Sequence, residues 1–189
     1  MRFNLSAIDK TWTLFLDRDG VLNEEKKDSY IFHRGELKIY DYVPESIAYL
    51  SRIFNKLILV TNQKGIGKAL MTAGDLADIH DYLQENLAKA NGKLDAIYFA
   101  PDLDANSPDR KPNAGMAFQA KKDFPEIDFS KSIMVGNRMS DMQFGRNAGM
   151  YTVFVSTTHP ETPFPDANID YRFDSLADFA KHLHAIFAG

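Results

Sequence analysis

The run Thr-Trp-Thr-Leu-Phe-Leu-Asp-Arg-Asp-Gly-Val, positions 11–21, decides the architecture. From Thr11 it is nearly continuous in apolar residues until it ends in charge at Asp17. Such a run fits a strand buried on both faces, with polar residues beginning where the chain leaves the sheet. Four more runs have the same character: Lys56 to Thr61, Leu94 to Ala100, Ser132 to Gly136 and Tyr151 to Ser156. Their shortness and their Val, Ile, Phe and Tyr content favour strand over buried helix.

Helical patterns fill the intervals. After Pro44, the residues Ile47, Leu50 and Phe54 recur at helical spacing. Thr72 makes a capping pattern with Asp75 and precedes the stripe Leu76, Ile79, Leu83 and Leu87. Further helices are expected between Pro112 and Phe124-Pro125 and from about Ser140 to Ala148, the latter stopped by Gly149. A terminal helix carries Leu176, Phe179, Leu183, Ile186 and Phe187 on one face. Strands alternating with helices make βαβ units. The expected fold class is therefore α/β, a Rossmann-like three-layer sandwich around a central, mostly parallel sheet of at least five strands. No repeat or low-complexity tract divides the chain, and its 189 residues suit one domain spanning positions 1–189.

Composition narrows the function classes. At 44% hydrophobic residues the chain can build a core without a disulfide or metal staple. It has no cysteine, which excludes disulfides, zinc–thiolate sites and a cysteine nucleophile. A net charge of −4 lacks the attraction that non-specific nucleic-acid binding needs, so no nucleic-acid partner is expected. Asp9 and Lys10 interrupt the N-terminus before an apolar run of signal-peptide length. No stretch approaches the ~20 apolar residues of a membrane span. The expectation is a cytoplasmic protein with no membrane partner, and a monomer, since no coiled-coil repeat is present.

In an open parallel sheet the ligand site lies beyond the carboxyl ends of the strands. Those ends carry Asp17-Arg18-Asp19-Gly20, then Thr61-Asn62-Gln63, then Arg110-Lys111 in the loop after the third run, then Gly136-Asn137 with Asp141 just beyond. Carboxylates, a hydroxyl, an amide and a lysine at one edge suit phosphoryl transfer, where dianionic phosphate repels a nucleophile until charge is neutralised. Asp17 can ligate Mg²⁺ and attack phosphorus. Asp19 is placed to protonate the leaving oxygen and then activate water. Gly20 permits the turn that brings Asp19 back toward Asp17. The Thr61 hydroxyl and nearby backbone N–H groups can hold phosphoryl oxygens, and Lys111 adds positive charge.

These stretches, together with Val135-Gly136-Asn137-Arg138-Met139-Ser140-Asp141, resemble the four ordered motifs of the haloacid-dehalogenase superfamily of phosphatases. The resemblance runs from about Thr11 to Val155. Asp17 to Asn23, Thr61 to Gly67 and Arg110 to Met116 look more closely like the heptose-bisphosphate and histidinol-phosphate phosphatases of that superfamily. The resemblance implies hydrolysis of a small phosphorylated metabolite through an aspartyl-phosphate, with Asp17 as nucleophile and Asp19 as general acid and base. It further implies that Thr61, Asn62 and Lys111 grip the phosphate and that Arg110 contacts the rest of the substrate. Mg²⁺ would be held by Asp17, by the Asp19 carbonyl, and at the fourth motif by Asn137 or Asp141.

Spacing excludes the cap domains that many members carry. Only 44 positions separate Asp17 from Thr61, much of that interval is the helix after Pro44, and only a loop separates Ala100 from Arg110. The site should be open, shaped by the loops Glu24 to Tyr40 and Pro101 to Asp109. Two departures stand out. The zinc ligands of the subfamily are replaced by Ala100-Pro101-Asp102 and Ser107-Pro108-Asp109, so no zinc is expected. The usual metal-binding Asp of the fourth motif is Asn137, which brings no negative charge and should weaken the metal site. Asn137 also supports the alternative of a non-catalytic or weakly active phosphate-binding relative. A receiver-type signalling module, which also uses Asp, Thr and Lys on a parallel sheet, would carry its phospho-accepting Asp at the end of the third strand, whereas here the critical Asp17 ends the first and no acidic pair precedes it.

Overall fold

A computed structural model describes residues 3–188. The chain runs β1 (Thr13–Leu16), α1 (Val43–Ile53), β2 (Lys56–Asn62), the one-turn α2 (Lys64–Gly67), α3 (Ala73–Lys89) and β3 (Ala96–Ala100). It continues with α4 (Gly115–Asp123), β4 (Ser132–Gly136), α5 (Met139–Ala148), β5 (Tyr151–Val155), β6 (Tyr171–Phe173) and α6 (Leu176–Phe187). All six strands are parallel, in the order β3-β2-β1-β4-β5-β6.

Alternation along β1 splits the core into two layers, because successive side chains of a strand point to opposite faces. Leu14 and Leu16 pack with Ile47 and Leu50 of α1, Leu76, Ile79 and Leu83 of α3, and Leu176, Phe179 and Leu183 of α6. Phe15 on the other face packs with Ile58, Val60 and Met134, against Met116 and Ala120 of α4 and Phe144 of α5. This is the expected three-layer sandwich, and no cap domain is present among the described residues. No helix among them is long and apolar enough to cross a membrane.

Four details differ from the sequence expectation. β3 is an edge strand, half-buried and with Phe99 exposed, rather than buried on both faces. β6 lies outside the five runs: it is a three-residue, half-buried edge strand with Arg172 at its centre, so it carries no apolar run. β1 begins at Thr13, since the Thr11 backbone N–H and hydroxyl both donate to the Asp9 carboxylate instead. Phe187 is exposed because it is the last residue of α6, while Leu176, Phe179 and Leu183 of the same stripe are buried. Thr72 and Asp75 form the full reciprocal cap on α3.

Candidate active site

β1 occupies the centre of the sheet, and the strand order reverses beside it, between β1 and β4. A crevice opens at such a switch point. In register, Leu16 lies opposite Leu59 of β2 and Val135 of β4, so Asp17, Thr61 and Asn137 all emerge at one edge. A cavity of about 710 Å³ stands over them.

The turn after β1 depends on Gly20. Its φ is +82°, in the left-handed region, and a Cβ there would lie 2.1 Å from the Asn137 amide nitrogen. The N–H groups of Val21, Leu22 and Asn23 converge on the Arg18 carbonyl, while the Gly20 N–H donates to the Asn23 carbonyl. This folds Asp19 back beside Asp17.

Asp17 is nearly buried, and one of its oxygens accepts from Lys111 Nζ at 2.7 Å. The same ammonium lies 2.7 Å from Asp141 Oδ1 and donates to the Val60 carbonyl at 2.9 Å. Gly136 makes the approach of Asp141 possible, since a Cβ at that position would meet the Asp141 side chain at 2.2 Å. The other Asp141 oxygen caps α5 by accepting from the Arg138 N–H at 3.0 Å. Burial is the strongest influence on Asp17 and pushes its carboxyl up to about 7; Lys111 opposes the shift, and the Asp141 charge adds to it. Burial also acts to lower the Lys111 pKa, but Asp141 and Asp17 outweigh it and hold the ammonium charged.

Asp19 is bound by three donors. Arg18 Nη2 donates to both of its oxygens at 3.0 Å, Asn23 Nδ2 to one at 2.9 Å and Gln63 Nε2 to the other at 3.1 Å. Burial acts to raise the Asp19 pKa, but Arg18 and these hydrogen bonds prevail and hold the carboxyl below its usual range. Arg18, itself 1% exposed, also reaches His80 Nε2 at 3.3 Å. Burial first, and then the Arg18 charge, push His80 down to about 3, so it accepts as a neutral imidazole.

The cavity is lined by Asp17, Asp19, Thr61, Asn62, Arg110, Lys111 and Asp141, all singled out in the sequence. Asn62 turns its amide to the Lys111 backbone, donating to the carbonyl at 3.1 Å and accepting from the N–H at 3.0 Å. Asn137 is not among the lining residues; it is fully buried, and its Nδ2 donates to Thr158 Oγ1 at 2.6 Å. The loop after β1 forms one wall through Glu25, Lys26, Asp28, Ser29, Tyr30 and Ile31. Pro101 to Asp109 lines none of the cavity and acts through Arg110, which donates to the Leu103 carbonyl. Where the zinc ligands would stand, Asn113 Nδ2 donates to the carbonyls of Ala105 at 3.1 Å and Ser107 at 2.8 Å.

Residues 109–179 match the HAD-hydrolase-like family profile. A D-glycero-D-manno-heptose-1,7-bisphosphate 7-phosphatase of Chlorobaculum tepidum is 32% identical over 185 residues, covering 88% of this chain and 92% of the relative. A D-glycero-alpha-D-manno-heptose-1,7-bisphosphate 7-phosphatase of Campylobacter jejuni is 38% identical over 146 residues, covering 77% of this chain and 83% of the relative. The chain belongs to the haloacid-dehalogenase-like phosphatases. Among solved structures of the family, D,D-heptose 1.7-bisphosphate phosphatase from B. bronchiseptica, complexed with magnesium and phosphate, is similar with a TM-score of 0.83. It is 26% identical, and the match covers 92% of this chain and 98% of that one.

Sequence reading passed over the surroundings of Asp19 in this phosphatase. Arg18 and Gln63 lie inside the quoted motifs, yet their roles depend on directions that the motifs do not encode. His80 had a visible signal: it follows Ile79 on the buried stripe of α3, and a histidine there needs a partner.

Proposed function

We propose that this phosphatase is a magnesium-dependent phosphomonoester hydrolase acting on a heptose 1,7-bisphosphate through an aspartyl-phosphate on Asp17. The observation that carries the reading is the polarity of the cavity from floor to rim. At the floor, Asp17 keeps its second oxygen free of hydrogen bonds from the described residues. Around the rim stand Lys26, Lys64, Lys68, Arg110 and Arg138, against the acidic Glu25 and Asp28. A cationic rim around a single nucleophile suits a substrate with a second anionic group away from the reacting one. Histidinol phosphate carries a cationic amine there, which the rim disfavours.

In the first half-reaction the free Asp17 oxygen attacks phosphorus, the ester P–O bond breaks, and Asp19, ionised in the free protein and protonated as the anionic substrate arrives beside it, gives that proton to the departing oxygen. In the second, Asp19 takes a proton from water as its oxygen attacks phosphorus, and the bond to Asp17 breaks to release phosphate. Lys111 keeps Asp17 aligned and neutralises charge beside the phosphoryl group, held by the Asn62 clamp on its backbone. The Thr61 hydroxyl holds a phosphoryl oxygen. The donor set fits Mg²⁺, which prefers oxygen. The Asp19 carbonyl and the buried Asn137 Oδ1 accept no hydrogen bond among the described residues, and the Asp17 and Asp141 carboxylates, both on Lys111, stand with them. No cluster of three acidic or imidazole side chains is gathered among the described residues, so water would complete the shell, as Mg²⁺ commonly requires. When bound, the ion screens the repulsion between the Asp17 carboxylate and the phosphate dianion.

The test is phosphate release across heptose bisphosphates, histidinol phosphate and common sugar phosphates, with and without Mg²⁺, beside Asp17→Asn. Mg²⁺-dependent turnover, highest on a heptose 1,7-bisphosphate and abolished in the variant, is expected. Phosphate binding without turnover on any substrate would instead favour the non-catalytic relative that Asn137 suggests.

A further inference from the structure

Three donors fix the Asp19 carboxylate, and they differ in what else they touch. Arg18 is its chain neighbour and also reaches His80. Asn23 lies on the same turn and donates its other proton to the Glu24 carbonyl at 2.8 Å. Gln63 comes from another part of the chain, just past the end of β2, and is 2% exposed. Its Nε2 donates to Asp19 Oδ2 at 3.1 Å and to Thr61 Oγ1 at 2.9 Å, and its Oε1 lies 3.5 Å from Arg18 Nη2. One amide nitrogen therefore joins the carboxylate to the hydroxyl.

That geometry has two consequences. A hydroxyl that accepts from Gln63 has its own proton left to donate, and Thr61 lines the cavity, so that proton can meet a phosphoryl oxygen. A carboxylate tied to the same nitrogen is held at a set distance from the phosphoryl group that Thr61 grips. We propose that Gln63 is a positioning residue that locks the proton-transferring Asp19 to the phosphate-holding Thr61, so that a captured phosphate has its leaving oxygen within reach of the acid. The inference rests on the roles proposed above for Asp19 and Thr61. It assigns Gln63 no contact with substrate.

Position matters most where the leaving group needs a proton. An alkoxide leaves only with help from the acid, whereas nitrophenolate leaves without it. The experiment measures kcat/KM, which here reports the steps up to leaving-group departure, for p-nitrophenyl phosphate, phenyl phosphate and the best sugar phosphate. Gln63→Met fills the same space without a donor, and Gln63→Glu serves if the first variant does not fold. The expected result is a steeper dependence on leaving-group basicity, with the sugar phosphate losing about tenfold or more beyond any loss on p-nitrophenyl phosphate. Equal losses on all three esters, or none, would overturn the proposal and leave Gln63 a packing residue. Asp19→Asn is the control: if it fails to steepen the same dependence, the acid role of Asp19 falls, and if Asp17→Asn stays active, the whole catalytic reading falls.

Discussion

Asp17 and Asp141 each place one oxygen 2.7 Å from the same Lys111 ammonium, and all three side chains are nearly excluded from solvent. One cation thus compensates two buried anions from opposite ends of the chain. Breaking such an arrangement costs more than forming it gains, because the remaining charges are left without a partner.

Lys111→Met should therefore destabilise the protein by about 3–5 kcal/mol in metal-free buffer. The variant should recover part of that loss in millimolar Mg²⁺, since a divalent cation between the same carboxylates replaces the missing charge. Urea unfolding with and without Mg²⁺ measures both effects. A variant as stable as the parent without metal would mean that Asp17 and Asp141 are not both charged in the fold.

His80 makes stability depend on pH. Its pKa, ordinarily 6.5, is pushed down to about 3 in the fold, by burial and then by Arg18, with Asp19 pulling weakly the other way. Below the unfolded value the unfolded chain binds a proton that the folded protein refuses. The His80 contribution is therefore complete above about pH 6.5 and declines as pH falls, by about 1.4 kcal/mol per unit over the range between the two values. His80→Gln keeps an acceptor for Arg18 and has nothing to protonate. Its unfolding free energy should fall less steeply than that of the parent between pH 6.5 and 5, and parallel curves would remove His80 as the cause.

The sheet was legible because its buried strands are written as apolar runs, and β1, β2 and β4 end in chemistry. Asp17, Thr61, Lys111 and Asp141 could be named because topology sends strand ends to one edge whatever the side-chain directions. What sequence could not supply is which way an amide turns. Asn62 lines the cavity, but its motif does not show that its amide also clasps the Lys111 backbone. Gln63 reads as a neighbour of Thr61 until its nitrogen is seen shared with Asp19. β6 escaped because an edge strand of three half-buried residues is specified by the pairing of Val153 to Val155 with Tyr171 to Phe173, not by its own pattern.

The loop after β3 is held by Asn113, whose amide spans the Ala105 and Ser107 carbonyls. Arg110 is anchored within this loop through Leu103. Asn113→Ala should cost about 0.5–1.5 kcal/mol, the net worth of ordinary hydrogen bonds at a surface where water can replace them. The larger effect should be kinetic, since loosening the loop lets Arg110 wander from the rim. KM for the bisphosphate should rise severalfold while kcat changes by less than about twofold, the mark of lost binding common to ground and transition states. An unchanged KM would show that Arg110 holds its place without the loop.

Asn137 is where this chain departs from a charged fourth motif. Its Nδ2 is spent on Thr158 while its Oδ1, fully buried, has no partner among the described residues. An orphaned acceptor beside Asp17 and Asp19 is costly unless something electropositive meets it. Asn137→Asp keeps the shape and adds a charge, and Thr158 can reverse its hydrogen bond by donating to the new oxygen. The variant should bind Mg²⁺ about tenfold more tightly or better by calorimetry, since ligand charge sets affinity for hard cations. It should be less stable than the parent without metal, since the buried carboxylate then lacks a counter-charge. Tighter Mg²⁺ binding with metal-free destabilisation would place Oδ1 on the ion. Unchanged affinity with the same destabilisation would leave Asp141 as the fourth-motif ligand and Asn137 as the pillar beneath Gly20.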